Sequence, residues 1–257
     1  MFQAKLEALL KAVAARGEPV QRSFLNGGLA YFSAGPACQI ENVGGLYEKY
    51  LGPINDGLYV EVGAFDGVSH SNTLGLARRG WSGILVEPHP QAAAKLRTNY
   101  AQFPNVVIEQ VAIGKSDGDI LQLSNAGTLS STSKAITEHY KLLTWASRAL
   151  NTGSQEVESI RLDTLLEKHN PHRIDLLVVD VEGSEVDVFS GFDIKRWRPE
   201  MIIVELTENH PDFHSFRHGV AEIYLDILGE GYIPVFKDSL NTVFVENYRF
   251  RARNSLE

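Results

Sequence analysis

Residues 58–70 read LYVEVGAFDGVSH, and the fold turns on how that stretch is understood. Leu58 to Val62 form an apolar run with Glu61 set inside it, and Gly63, Asp66 and Gly67 follow before a helix can begin. A short apolar run without strict alternation predicts a strand buried on both faces, as in a parallel sheet. Glycine at the end of such a strand permits a tight turn and lets a ligand approach the backbone. The spacing acid-x-G-x-x-x-G is not the dinucleotide fingerprint G-x-G-x-x-G, which seats a pyrophosphate on a helix N-terminus. Asp66 would repel a pyrophosphate, so the loop calls for a less anionic ligand.

Outward from this stretch, strands and helices alternate. Further strands are predicted at Ile84–Val86, Val106–Ile113, Ile174–Val179 and residues 201–206. Pro90 marks the start of a helix, where its missing N–H costs nothing. Another helix is expected near Ser71–Arg79, with Ser71 or Asn72 as its cap, and one around Ala221–Leu228 ends at Gly229. YIPVF and NTVFV read as a closing strand pair around a KDSL turn. This rhythm predicts an α/β, doubly wound sheet, mostly parallel with an antiparallel C-terminal pair. The segment 125–153 breaks it with the polar loop SNAGTLSSTS and then AITEHYKLLTWASRAL, where Ile136, Tyr140, Leu143 and Ala146 share a helical face. It reads either as an inserted lid or as a solvated loop with a packing helix. The domains expected are an N-terminal helical extension over 1–50, whose first residues repeat apolar positions at helical spacing, and a ligand-binding domain over 51–257.

Ligands of such sheets sit beyond the carboxyl ends of the strands, and the polar residues gather there: Glu61 to Gly67, Glu87, Gln110 to Ala112, Asp180 with Glu182, and Glu205. Glu87 ends the second strand twenty residues after Gly67, where a carboxylate grips ribose hydroxyls. Together with Glu61 and Gly63 it points to S-adenosylmethionine, whose ammonium group Glu61 and Asp66 can meet. The alternative for the pair is a turn glycine and a solvated acid. Asn72 is a further candidate, for the cofactor's carboxylate. Trp81 reads as a packing residue.

Six blocks, EVGAFDGVSHSNTLGL, GWSGILVEPHP, VAIGKSDGD, IRLDTLLEKH, IDLLVVDVEGSEVDVFSG and RPEMIIVEL, follow one another in the order of the FkbM family of methyltransferases, which the chain resembles over about residues 57–206. The resemblance implies a class I, Rossmann-like methyltransferase using S-adenosylmethionine. It also implies methyl transfer to a hydroxyl oxygen of a sugar, lipid or polyketide-type product. Many members carry a lysine where this chain has Val178. The cofactor cradle expected is Glu61, Gly63, Phe65, Asp66, Ser71, Asn72, Glu87, Pro88, Gln110, Val111, Ala112 and Asp180. Asp180 is the expected base for the acceptor hydroxyl and Glu182 its partner in positioning cofactor or substrate.

Other readings of these residues stay open. Asp180 and Glu182 could hold a divalent metal, although no metal site is assigned, or Asp180 could cap the helix begun near Ser184. His210, His214 and His218 recur at helical spacing, as a polar face, a source of the base, or a metal set. A nucleotide-dependent, sugar-modifying oxidoreductase or epimerase would share the fold but lacks its glycine pattern and a Tyr-x-x-x-Lys pair. A non-catalytic binding module would be consistent with Val178 but not with the intact acids. The net charge of −8 without a basic stripe argues against nucleic acid. The lone Cys38 excludes an intrachain disulfide and fits a reducing, cytoplasmic setting. No run is long enough to span a membrane, and the N-terminus, interrupted by Glu7 and Lys11, is not expected to be a secretory signal. The N-terminal helix could pair across a two-fold axis in a homodimer.

Overall fold

The computed structural model describes residues 38–146, 153–206, 212–213 and 217–248. The predicted N-terminal helix therefore lies outside the described residues, as do His210 and His214; of His218 only its place in a helix is described.

Seven strands form the main sheet: β1 (Leu58–Val62), β2 (Ser82–Val86), β3 (Val106–Glu109), β7 (Leu176–Val179), β8 (Met201–Glu205), β9 (Tyr232–Lys237) and β10 (Asn241–Glu246). Their order is β3-β2-β1-β7-β8-β10-β9. The first five run parallel, and β10 lies antiparallel to both β8 and β9. Every residue of β7, β8 and β10 is buried, which is why these segments show no polar–apolar alternation in sequence.

Helices cover both faces. On one face α1 (Val43–Tyr50), α2 (Leu74–Arg78) and α3 (Pro90–Tyr100) pack against Tyr59, Leu176, Val178, Ile203 and Val243, together with Trp81. Trp81 is wholly buried and donates its indole N–H to the Ile54 carbonyl, the packing role expected of it. Residues 40–51 thus share one core with the sheet. On the other face α5 (Leu162–His169), α6 (Glu185–Ser190), α7 (Ile194–Trp197) and α8 (Arg217–Gly229) supply Leu162, Leu166, Val188, Ile194, Ile223 and Ile227. The start of α3 follows from its sequence: Pro90 stands at the first turn and the His89 ring accepts the Gln91 N–H.

One strand differs from expectation. The predicted strand 106–113 is cut at Gln110 and Val111. Val106–Glu109 pairs with β2, whereas β4 (Ala112–Ile113) joins a second sheet ordered β4-β6-β5, with β5 at Ile120–Ser124 and β6 at Ser154–Ile160. The apolar pattern VVIEQVAI runs through the break without glycine or proline, so nothing local marks it. The β5–β6 pair closes Ser124 against Ser154 and brackets the inserted segment. Within that segment the helix α4 is shorter than its pattern, Lys134–Tyr140, with Ser133 Oγ accepting the Ile136 N–H. Its apolar face nevertheless forms: Ile136, Tyr140 and Ala146 pack with Phe213, Leu129 and Leu143.

Candidate active site

The carboxyl edge of the sheet opens into a cleft of about 710 Å³ between the ends of β1, β2, β7 and β8 and the inserted segment. The glycine turn builds its floor. The Gly63 and Ala64 N–H groups both donate to the Val86 carbonyl, tying the end of β1 to β2. Gly63 has φ +93°, and a Cβ there would lie 1.7 Å from the Asp180 carbonyl oxygen. The glycine is required because two backbone segments meet, the turn after β1 and the turn after β7.

Glu87 is held by main chain alone: Phe65 N–H donates to its Oε2 at 2.8 Å and His89 N–H to its Oε1 at 2.7 Å. Phe65 adopts φ +48° to make its bond. Burial pushes the Glu87 carboxyl up to about 7, against the lowering effect of these two N–H groups. Glu61 is buried deeper, accepts from Thr73 Oγ1 at 2.6 Å, and is pushed up to about 8 by desolvation. Ser71 Oγ accepts the N–H groups of Thr73 and Leu74 at the head of α2, the cap expected there. Asn72 Oδ1 accepts from Ile40 N–H, and its Nδ2 donates to Gln39. Gln39 in turn donates to Asp180 Oδ2 at 2.8 Å.

Of the residues singled out in the sequence, Glu61, Gly63, Phe65, Ser71, Asn72, Glu87, Pro88, Val111, Ala112, Asp180 and Glu182 line the cleft. Asp66 and Gln110 do not. Asp66 spends its carboxylate on its own loop, accepting from Val68 N–H, Ser69 N–H and Ser69 Oγ, bonds that draw its carboxyl below the usual range against a partial burial cost. It shapes the turn and is not placed to meet an ammonium group. Gln110 Oε1 accepts from Arg97 on the outer surface.

Beyond β7 the chain gathers acids. The carboxylates of Asp180, Glu182 and Glu205 offer oxygens within 4.8 Å of one another. Burial raises all three above the ordinary carboxylate range, their mutual repulsion adds to it for Glu182 and Glu205, and a hydrogen bond joins Asp180 to Glu205. Glu182, at φ +53°, accepts the Tyr140 hydroxyl. The carboxylate that accepts the N–H groups of Val181 and Gly183 ahead of α6 is Glu185, so Asp180 is not the cap of that helix. On the outer side of the cleft stand Tyr140, Phe213 and the half-exposed Trp145, whose indole donates to Asp212. No lysine or arginine is among the described residues that line the cleft.

Sequence reasoning gave Glu205 only as a strand-end acid and missed Gln39 and Tyr140 as parts of the site. Gln39 lies in a stretch without a motif. Tyr140 was visible only as one apolar position of α4.

The strand order, with a reversed inner strand at the C-terminal side, is the class I methyltransferase arrangement. The chain belongs to the FkbM family: the family model for the methyltransferase FkbM domain matches residues 61–234. Methyltransferase 1 of Beauveria bassiana (strain ARSEF 2860) is 28% identical over 144 residues, covering 51% of this chain and 57% of that protein. The match thus spans little more than half the length of that curated relative. Among solved structures, an O-methyltransferase from Bacillus cereus in complex with SAH is similar with a TM-score of 0.46, 15% identity and coverage of 90% and 91% of the two chains. The O-methyltransferase TomG from Streptomyces achromogenes, in complex with SAM, gives 0.42, 13%, 75% and 74%.

The domain's cofactor is S-adenosylmethionine, and the chemistry of the cleft fits it. A cationic sulfonium with no phosphate suits a lining of carboxylates, whereas a pyrophosphate would find no lysine or arginine among the described lining residues. Glu87, with both oxygens fixed by one N–H each, keeps lone pairs for two ribose hydroxyls. Asn72 and Ser71 stand at the head of α2, where a carboxylate could be met.

Proposed function

We propose that this protein is an O-methyltransferase acting on a hydroxyl of a small, uncharged or cationic acceptor such as a sugar or natural-product intermediate. The observation that carries this reading is the convergence of Asp180, Glu182 and Glu205 beside the proposed cofactor cradle, in a cleft with no lysine or arginine among the described residues that line it. An alcohol must lose its proton as it is methylated, and buried carboxylates with raised proton affinity are suited to take it. Bound S-adenosylmethionine supplies a methyl group on a sulfonium, already activated for displacement. The chain's own residues then have two tasks. Glu87, Gly63 and the Ser71–Asn72 turn fix the donor, and Tyr140, Trp145 and Phe213 wall the acceptor side, so that the two meet at near-attack distance. Asp180 would take the proton that the acceptor hydroxyl loses as it is methylated. Glu182, braced by Tyr140, positions the acceptor.

The test is release of S-adenosylhomocysteine over a panel of hydroxylated acceptors, with phosphorylated or carboxylated analogues alongside. Turnover with neutral polyols or phenols and none with their anionic analogues is the expected result. Turnover confined to anionic acceptors would contradict it.

The same cradle predicts a pH dependence. Ribose hydroxyls donate to ionised Glu87, and its raised proton affinity, at about 7, leaves it partly protonated near neutrality. Affinity for S-adenosylhomocysteine should therefore be highest above about pH 7 and fall by up to about tenfold per unit below it. Glu61 lines the same cleft, so the contribution of Glu87 is the difference between wild type and Glu87→Gln. A profile identical in both proteins would remove Glu87 from this role.

A further inference from the structure

The acid cluster has a neighbour that neither the fold nor the methyl-transfer reading explains. Asn241 opens β10 directly opposite Glu205 on β8. Residues paired in this way project from the same face of the sheet, with Cβ atoms about 4.5–5.5 Å apart. Val178 and Ile203 pack on the same face as Val243, which places Asp180, Glu205 and Asn241, each two residues along its own strand, in one row across three adjoining strand ends. Asn241 is 2% exposed, and neither its amide nitrogen nor its amide oxygen has a hydrogen-bond partner among the described residues. A buried carboxamide with both ends unsatisfied is costly unless something meets it. Its backbone N–H is separately held by Asp238, so the strand end is fixed and the side chain is not needed for the turn.

The carboxylates beside it are braced from outside the cluster. Gln39 donates to Asp180 Oδ2, and the Tyr140 hydroxyl donates to Glu182 Oε2. Outer donors of this kind orient ligands and leave other lone pairs facing inward. Three carboxylates offer oxygens within 4.8 Å of one another, and no lysine or arginine is among the described residues that line the cleft. An all-oxygen set of carboxylates and one carboxamide is the chemistry of a hard divalent cation.

We propose that Asp180, Glu182 and Glu205, completed by the Asn241 side-chain oxygen, form a binding site for a hard divalent cation of the magnesium, manganese or calcium class. The proposed role of the site rests on the methyl-transfer reading: a cation there would hold the acceptor hydroxyl and lower its pKa, so that it gives its proton up more readily, to water or to a carboxylate oxygen not spent on the cation. Detection of the site does not rest on that reading.

The wild-type protein should be titrated with manganese ion, followed by electron paramagnetic resonance of the free ion, with magnesium and calcium as competitors. S-adenosylhomocysteine binding is measured in parallel by calorimetry. The expected result is one ion per chain with a dissociation constant of about 1 mM or tighter. Asn241→Leu, which removes no charge, should weaken it by about tenfold, and Glu205→Gln should weaken it further. Failure of the wild-type protein to bind any of the three ions, with S-adenosylhomocysteine still bound, overturns the cation site alone. Ion binding unchanged in both variants also overturns it, since the ion would then sit elsewhere. Loss of S-adenosylhomocysteine binding in the wild-type protein would instead overturn the methyl-transfer reading and leave the ion titration to be judged on its own result.

Discussion

Gly63→Ala is expected to destabilise the protein by more than about 3 kcal/mol and to abolish cofactor binding in whatever folds. The added methyl group would lie 1.7 Å from the Asp180 carbonyl oxygen and 2.8 Å from its carbonyl carbon. Both are backbone atoms, so no side chain can swing aside. The residue also sits at φ +93°, a conformation an alanine holds only under strain. Relief requires the turn after β1 to part from the turn after β7, and those two turns carry Phe65 with its bond to Glu87 and Asp180 with its bond to Gln39. Urea denaturation gives the stability change and calorimetry with S-adenosylhomocysteine gives the binding. A variant with unchanged midpoint and affinity would show that the two turns are not pressed together as described.

Asp180→Asn is expected to lower kcat by about 10²–10⁴-fold, the usual contribution of a positioned proton acceptor. The substitution keeps the shape of the side chain, and an amide oxygen can still accept the Gln39 amide. It removes the group assigned to the acceptor proton from the centre of the acid cluster. The loss should fall on kcat more than on the affinity for S-adenosylhomocysteine, because the ribose is assigned to Glu87, a different residue. The measurement is S-adenosylhomocysteine release with the best acceptor of the panel, at saturating cofactor. A rate within about threefold of wild type would remove Asp180 from proton transfer.

Much of the sheet was legible in the sequence because buried parallel strands leave dense apolar runs. Leu58–Val62 was read to the residue, and Pro90 marked the start of α3. The acids were legible because the carboxyl edge of such a sheet is where ligands bind, and Glu87 and Asp180 stand at strand ends. What was lost has definite causes. The break at Gln110 leaves no trace, since the two strands on either side are equally apolar and only their partners differ. The strand Ser154–Ile160 was invisible because its outward residues are Ser154, Glu156 and Glu158 and its inward ones include Gln155 and Ser159, at the rim of a small sheet. Asp66 looked like a ligand-binding acid because a carboxylate spent on an Asx turn has the same sequence as one aimed at a ligand. Gln39, Tyr140 and Asn241 reach the site only through tertiary structure. Gln39 comes from a motif-free segment, Tyr140 from the inserted helix, and Asn241 from a strand that runs opposite to its neighbour β8. That reversal brings the start of β10 to the edge where the parallel strands end, and no local pattern announces which residue will face Glu205.

The claim on which the account stands is that the cleft between β1 and β2 holds S-adenosylmethionine through Glu87. Calorimetric titration of S-adenosylhomocysteine into wild type and Glu87→Ala, with NAD as a control ligand, tests it most directly. The account predicts one S-adenosylhomocysteine per chain, no binding of NAD, and a loss of affinity of at least about tenfold in Glu87→Ala with the fold intact. Equal affinity in the two proteins, or binding of NAD in preference to S-adenosylhomocysteine, would contradict it.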